Sequence, residues 1–275
     1  MTTNKTSFDE KPPILFVPGG VNPVELSYGP LLAVIKDQVR PILKELEIYA
    51  TDTPPSDYGL ELEVEGIRRV ADSSGVKSFH LVGFSAGGAS SLAFTSKYPE
   101  RLRSLALIEP AWIGSVSPED AEQWAELEHI MTFPPDQRLP AFIRWQLRSE
   151  ARSSAIPTPP GPPPPWMAKR PAGLEAIARA FNTYKLDQQP FRMFNRPVYY
   201  ALGSLTTRFY EHEAKTLSGL FPDMRVEEYE GRSHFDPPQR AEPKRLSRAL
   251  MELWARGEGV MIDDRKSIEH AAYNS

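Results

Sequence analysis

Gly83-Phe84-Ser85-Ala86-Gly87 is a G-x-S-x-G pentapeptide with an apolar run at 79–82 before it and small residues at 88–95 after it. That order predicts a serine on a strand-to-helix turn, the nucleophile elbow. The turn puts the serine in a strained backbone conformation, and a side chain at 83 or 87 would strike the adjoining strand or helix, so both positions call for glycine. The phosphate loops G-x-G-x-x-G and G-x-x-x-x-G-K-[ST] do not occur. A serine hydroxyl is a poor nucleophile at neutral pH and needs a base within hydrogen-bond reach and an acid to orient that base. Of five histidines, His234 stands in the loop Gly231-Arg232-Ser233-His234-Phe235-Asp236-Pro237-Pro238, between the last expected strand and the last expected helix. Loops at the carboxyl ends of parallel strands share the elbow's edge of the sheet. His80 lies inside the elbow strand and reads as packed, whereas His129, His212 and His270 read as solvent-facing. No pair has zinc-ligand spacing such as H-E-x-x-H, and the expected chemistry uses neither metal nor cofactor.

The elements that must position these groups show as short apolar runs rich in β-formers at 14–17, 47–50, 79–82, 105–108, 198–202 and 226–229. Amphipathic stretches at 28–39, 60–71, 86–97, 209–220 and 241–254 alternate with them. Alternation of this kind predicts an α/β fold, a mostly parallel sheet with helices on both faces. It breaks between Pro110 and Pro197, where the sequence turns helical, so residues 111–195 are expected to form an inserted cap on a core of 12–110 and 196–256. The densest of the chain's 28 prolines, at 157–165, favour polyproline II and read as a solvated connector between cap helices. From 257 to 275 the chain is polar and weakly patterned and reads as a flexible tail.

Composition excludes several classes. With 275 residues one substantial core is available without staples, and with no cysteine there is no disulfide scaffold, thiol catalysis or cysteine zinc site. A net charge of −4 with both signs mixed offers no basic field for nucleic acid and no polybasic membrane surface. The polar start and the lack of about 18 consecutive uncharged apolar residues predict a cytoplasmic protein without membrane partners; the oligomeric state, monomer or homodimer, is left open.

The order strand, elbow, helix and late histidine resembles the α/β-hydrolase superfamily from about Pro12 to Trp254, with the cap its weakest part. In that superfamily the third group of the triad usually sits in a Gly-x-x-Asp turn after the strand that precedes the histidine strand. Here the matching turn, Gly203-Ser204-Leu205-Thr206-Thr207, carries no carboxylate. Some members, haloalkane dehalogenases among them, carry the acid at the end of the strand after the elbow helix, and the resemblance then implies Glu109, in Leu105-Ala106-Leu107-Ile108-Glu109-Pro110. Asp236, Glu211 and Asp223 are weaker candidates. The resemblance also implies an oxyanion hole from the N–H groups of Ala86 and of Gly20 in Pro18-Gly19-Gly20-Val21, with Val21 as fallback.

Because the dehalogenases and epoxide hydrolases of the superfamily use aspartate at the elbow, Ser85 points to ester chemistry through an acyl-serine. Carbon–carbon bond hydrolases, lyases and cofactor-free perhydrolases can use a similar triad, and a binding protein on the same fold is the non-enzymatic alternative. Trp112, Trp124, Trp145 and Trp166 fall in the expected cap. Trp112, Trp145 and Trp166, with Val21 and Phe235, are expected to line an apolar pocket for a neutral, moderately hydrophobic small-molecule ester. Arg144, Arg148 and Arg152 read as a solvated stripe paired with acids.

Overall fold

Six parallel strands form one sheet in the order β2-β1-β3-β4-β5-β6 in a computed structural model, which describes residues 11–116, 118–152 and 162–273, with side chains to 259. In chain order these are β1 (Pro13–Val17), α1 (Val24–Ile35), β2 (Arg40–Leu43), α2 (Leu60–Ser73), β3 (Phe79–Phe84), α3 (Ala86–Lys97) and β4 (Leu102–Ile108). Then come α4 (Ala121–Met131), α5 (Pro135–Trp145), α6 (Arg170–Thr183), α7 (Gln189–Arg192), β5 (Val198–Gly203), α8 (Phe209–Ser218), β6 (Met224–Tyr229), α9 (Pro238–Ala241) and α10 (Pro243–Tyr273). The proline run falls partly outside the described residues: Pro164 is extended, with φ −63° and ψ 150°, and Pro165–Lys169 is a 3-10 turn into α6.

Side chains alternate across the buried strands, which sorts the core into two layers. Leu15, Leu81, Leu105 and Tyr200 face α2, α3 and α8. Ile14, Phe16, Val82, Ala106 and Tyr199 face α1 and α10, where Tyr28, Leu31, Leu250 and Trp254 meet them. Each such leucine or isoleucine contributes on the order of 1.5–3 kcal/mol by leaving water. Helix α3 lies close against the sheet because its residues are small, and its buried hydroxyls are satisfied locally: Ser90, Ser91 and Thr95 donate to the carbonyls of Ala86, Gly87 and Ser91 at 2.9, 2.7 and 2.7 Å.

Residues 47–50 are not a strand. Glu47–Tyr49 is a 3-10 turn, because the N–H of Ile48 donates to the buried carboxylate of Glu63 at 3.2 Å rather than to a sheet ladder. The second strand is instead Arg40–Leu43, at the sheet edge, where Pro41 can be tolerated without a donor. The chain end also departs from expectation. Helix α10 continues to Tyr273, and at residue 257 a glycine lets it touch the start of β4, where an added Cβ would stand 2.5 Å from the Arg103 carbonyl oxygen. The next residue, Glu258, bonds Arg103 at 2.6 Å and His80 at 3.1 Å.

Helices α4 to α6 pack over the carboxyl-terminal edge of the sheet, and their side chains line the cleft there. At that edge β1, β3, β4, β5 and β6 end at Val17, Phe84, Ile108, Gly203 and Tyr229. Every loop carrying a candidate chemical group therefore starts from one rim, with β1 and β3 flanking the point where the strand order reverses.

Candidate active site

Ser85 turns between β3 and α3 with φ 52° and ψ −119°, a conformation that L residues rarely adopt. Its neighbours show why the turn needs glycine. A Cβ at Gly83 would stand 2.5 Å from the Gly87 carbonyl oxygen, one at Gly87 would overlap the Val17 and Pro18 carbonyl oxygens, and one at Gly88 would come 2.7 Å from Pro110 Cα. The strain is held by the backbone: Ser85 N–H donates to Ile108 O at 3.0 Å, and Ser85 O accepts from Ala89 and Ala111 at 3.1 and 2.9 Å.

His234 Nε2 lies 3.0 Å from Ser85 Oγ, and its Nδ1 lies 2.7 Å from Glu109 Oε2. All three residues are buried. The imidazole is clamped between Phe84, with centroids 4.9 Å apart, and the stacked ring of Tyr210 at 5.1 Å. Tyr210 is itself anchored through its hydroxyl to Gln146 Oε1 at 2.8 Å. Glu109 is the other non-glycine residue with positive φ among the described residues, at 42°. Its free oxygen, Oε1, accepts from Gly203 N–H at 2.7 Å and Thr206 Oγ1 at 2.6 Å. The turn without a carboxylate thus supplies two donors to the carboxylate of the neighbouring strand.

The other acids are turned elsewhere. Asp236 is exposed and pairs with Arg232 at 2.8 Å; Glu211 pairs with Arg148, and Asp223 with Arg256. Of the arginine stripe, Arg148 pairs with an acid as expected, but it is half-buried, and its Nε also donates to Thr206 O at 3.1 Å, bracing the turn that holds Glu109. His80 is buried against Ser104 at 2.7 Å, His212 bonds Asp120 at 2.7 Å, and His129 meets the ring of Phe133 edge-on.

Gly19 and Gly20 pass directly over the elbow. A Cβ at Gly19 would lie 3.1 Å from Ser85 Cβ, and one at Gly20 3.8 Å from Ala86 Cβ. Among the described residues, none accepts a hydrogen bond from the N–H of Gly20, Val21 or Ala86. The cleft above them encloses about 740 Å³ with its open mouth included. Its walls carry Leu127, Met131, Phe142, Trp145, Leu174 and Phe181 from α4, α5 and α6, and its lining includes Asn22, Phe235 and Arg240. Val21, Trp145 and Phe235 line it as expected; Trp112 and Trp166 do not. Trp112 stacks behind Phe181, centroids 5.6 Å apart, and Trp166 lies over Arg170 at 5.2 Å. Thr206 and Tyr210 were not foreseen; for Thr206 the signal was its place in the turn that lacks an acid, and for Tyr210 there was none. Among the described residues no cluster of three or more histidines and acids could hold a metal ion, and no helix is long and apolar enough to cross a membrane.

This arrangement can pass the Ser85 proton to His234, hold the resulting imidazolium against Glu109, and receive negative charge at the loop and elbow N–H groups. Comparison with known proteins agrees with the fold. The sequence pattern of the family described as alpha/beta hydrolase fold matches residues 12–154. A carboxylesterase structure from Nitrososphaera gargenis superposes with a TM-score of 0.68 at 17% identity, covering 90% of this chain and 92% of that one. A thermophilic esterase from Thermogutta terrifontis gives 0.65 at 16% identity, covering 90% and 91%. In sequence, a 2-hydroxy-6-oxo-6-phenylhexa-2,4-dienoate hydrolase of Comamonas testosteroni is 37% identical over 54 residues, 20% of this chain and 19% of that protein's length.

Proposed function

Because the chain belongs to the alpha/beta hydrolase fold family, we propose that it is a serine hydrolase that cleaves a neutral, moderately hydrophobic carboxylic ester through an acyl-serine intermediate. The observation that carries this reading is the continuous hydrogen-bonded line from Ser85 Oγ through His234 to Glu109 at 3.0 and 2.7 Å, beneath an apolar cleft. His234 Nε2 takes the proton as Ser85 Oγ attacks the ester carbonyl, and the tetrahedral oxyanion is received by the N–H groups of Ala86 and Gly20. Collapse breaks the bond to the alcohol oxygen, which leaves with the proton returned by His234. A water activated by the same imidazole then hydrolyses the acyl-serine and restores Ser85. The apolar cap wall supports an uncharged acyl or alcohol group.

Hydrolysis of p-nitrophenyl esters from acetate to decanoate, with wild type beside Ser85→Ala, tests the reading. Serine-dependent turnover with a preferred chain length supports it, and none on any ester refutes it. A second reading, hydrolysis of a carbon–carbon bond, is favoured by the 54-residue similarity to the dienoate hydrolase and by Arg240, a cation in the cleft lining that could meet a substrate carboxylate. Turnover of that dienoate in place of the esters would select it.

A further inference from the structure

The backbone that carries the oxyanion donors is held from outside the triad. Tyr49, on the 3-10 turn before α2, donates its hydroxyl to the Gly20 carbonyl oxygen at 2.6 Å, a bond buried in the protein. The Gly20 carbonyl and the Val21 N–H are opposite ends of one trans peptide. Fixing the carbonyl therefore fixes the rotation of Gly20 about its Cα–C bond, a torsion that no Cβ restricts, and with it the heading of the Val21 N–H, the fallback donor next to the Gly20 N–H. A bond of 2.6 Å made to a glycine, which has no side chain to anchor it, is well placed to decide that geometry.

Tyr49 is fixed at both ends. On the backbone side, Ile48 N–H donates to Glu63, whose carboxylate is paired with the buried Lys44 at 2.9 Å. On the ring side, one face of cap helix α6 covers it. The Arg170 guanidinium lies 3.6 Å over the ring centroid. Gly173 leaves the room that the ring occupies, since a Cβ there would stand 2.5 Å from the Tyr49 hydroxyl oxygen. The same face continues onto the loop itself, where Leu174 and Ile177 side chains stand 3.1 and 3.2 Å from the position of a Gly20 Cβ. Residues 170, 173, 174 and 177 are a single helical stripe. Arg170 is buried, among the described residues its Nε and Nη1 have no hydrogen-bond partner, and its guanidinium lies nearer the Tyr49 ring, at 3.6 Å, than the Trp166 ring, at 5.2 Å.

We propose that Tyr49 is a positioning residue for the oxyanion loop and that helix α6 holds it there, so that seating of the cap sets the geometry in which the tetrahedral intermediate is received. The inference rests on the serine-hydrolase reading above. Burial pushes the Tyr49 hydroxyl up to about 12 against the lowering pull of Arg170, and it remains a donor across the range of an esterase assay.

The test uses the full chain with Tyr49→Phe, which removes one oxygen and keeps the ring, and Arg170→Met, which keeps the stem and removes the cation. Wild type and Ser85→Ala run beside them on the best p-nitrophenyl ester, together with inhibition by an alkyl boronic acid that forms a tetrahedral adduct on the serine. Losing one oxyanion donor costs about 10²–10³ in kcat, and a donor that is present but misaimed should cost about ten- to a hundredfold. Tyr49→Phe is expected to lose that factor in kcat with KM within about twofold, and to weaken boronate inhibition in proportion. Arg170→Met is expected to show a smaller loss with the same split. A tyrosine needed only for folding would lower the melting temperature and the active fraction without moving boronate affinity per active site, and that result would overturn the proposal. Wild-type kcat in Tyr49→Phe would also overturn it, and wild-type kcat in Arg170→Met would remove the cap from it. Absence of Ser85-dependent turnover in the wild type refutes the underlying reading, and this inference with it. Ser85-dependent turnover with an unimpaired Tyr49→Phe refutes the inference alone.

Discussion

Glu109→Gln changes one atom type in a fully enclosed group, and the structure dictates how the amide must sit. Glu109 Oε1 accepts from Gly203 N–H and Thr206 Oγ1 at 2.7 and 2.6 Å, so the glutamine carbonyl oxygen takes that place. Its NH₂ then faces His234 Nδ1, where Oε2 stood at 2.7 Å. An amide donor requires Nδ1 to accept, which moves the imidazole proton to Nε2, the nitrogen 3.0 Å from Ser85 Oγ. The base then has no lone pair for the serine proton, and the imidazolium formed in the transition state has no anion beside it. Inverting the tautomer in this way costs about 10⁴ in kcat in the well-studied serine-protease triad, or roughly 5.5 kcal/mol of barrier at 1.36 kcal/mol per decade. The expected outcome for Glu109→Gln is a 10³- to 10⁴-fold fall in kcat/KM on the preferred p-nitrophenyl ester, carried by kcat, with Ser85→Ala setting the floor. Asp236→Asn is the control. Asp236 is exposed and paired with Arg232, so activity should stay within about twofold. A Glu109→Gln enzyme within about tenfold of wild type, correctly folded, would refute the assignment of the acid and the tautomer argument together.

Three further outcomes follow from the packing and the cleft. Glu213 is buried with neither oxygen hydrogen-bonded among the described residues, and burial first, then the charges of Asp120 and Glu109, holds its carboxyl well above the usual range. A raised acid contributes stability that is fully present below its unfolded pKa, near 4.5, and is lost as pH rises through its folded pKa. Over that window the loss is at most about 1.4 kcal/mol per pH unit, so Glu213→Gln should raise the melting temperature more at pH 8 than at pH 5; an equal effect at both would contradict the reasoning. Gly87→Ala drives a methyl into the carbonyl oxygens of Val17, the last residue of β1, and of Pro18, which follows it. Denaturant melts should show at least about 2 kcal/mol of destabilisation, and a neutral effect would contradict the close packing of the elbow. Met131→Ala and Phe181→Ala enlarge the apolar wall of the cleft. Chain-length profiles should shift toward longer acyl groups, and unchanged profiles would place the acyl group elsewhere.

The parallel sheet was legible because buried strands such as Phe79–Phe84 are uninterrupted apolar runs bounded by turn residues, and because helix and strand alternate. The elbow was legible because its glycines answer to backbone contacts that any homologous turn would make. The position of His234 followed from the order of elements alone. What escaped reading depended on contacts distant in sequence. Residues 47–50 have strand-like composition, yet Glu63, fifteen residues beyond Ile48, captures its N–H and curls the segment into a turn. Strand Arg40–Leu43 was hidden by its shortness and by Pro41, which only an edge position allows. A polar tail was expected from residue 257, but Gly257 and Glu258 dock α10 onto β4 through His80 and Arg103, a partnership that no local pattern announces. Composition places four tryptophans between residues 111 and 195, but it does not say which of them face the cleft and which, like Trp112, back the residues that do. The triple hold on Glu109 needed a fold in which two turns from different strands meet.

The central claim is that Ser85 is the nucleophile, and covalent capture addresses it without any assumption about the substrate. The full chain is treated with an alkyl fluorophosphonate, digested and mapped by mass spectrometry. The account predicts one adduct, on the peptide carrying Ser85, formed in wild type and absent from Ser85→Ala. An unmodified Ser85 peptide in folded protein, or labelling that persists unchanged in Ser85→Ala, would contradict it.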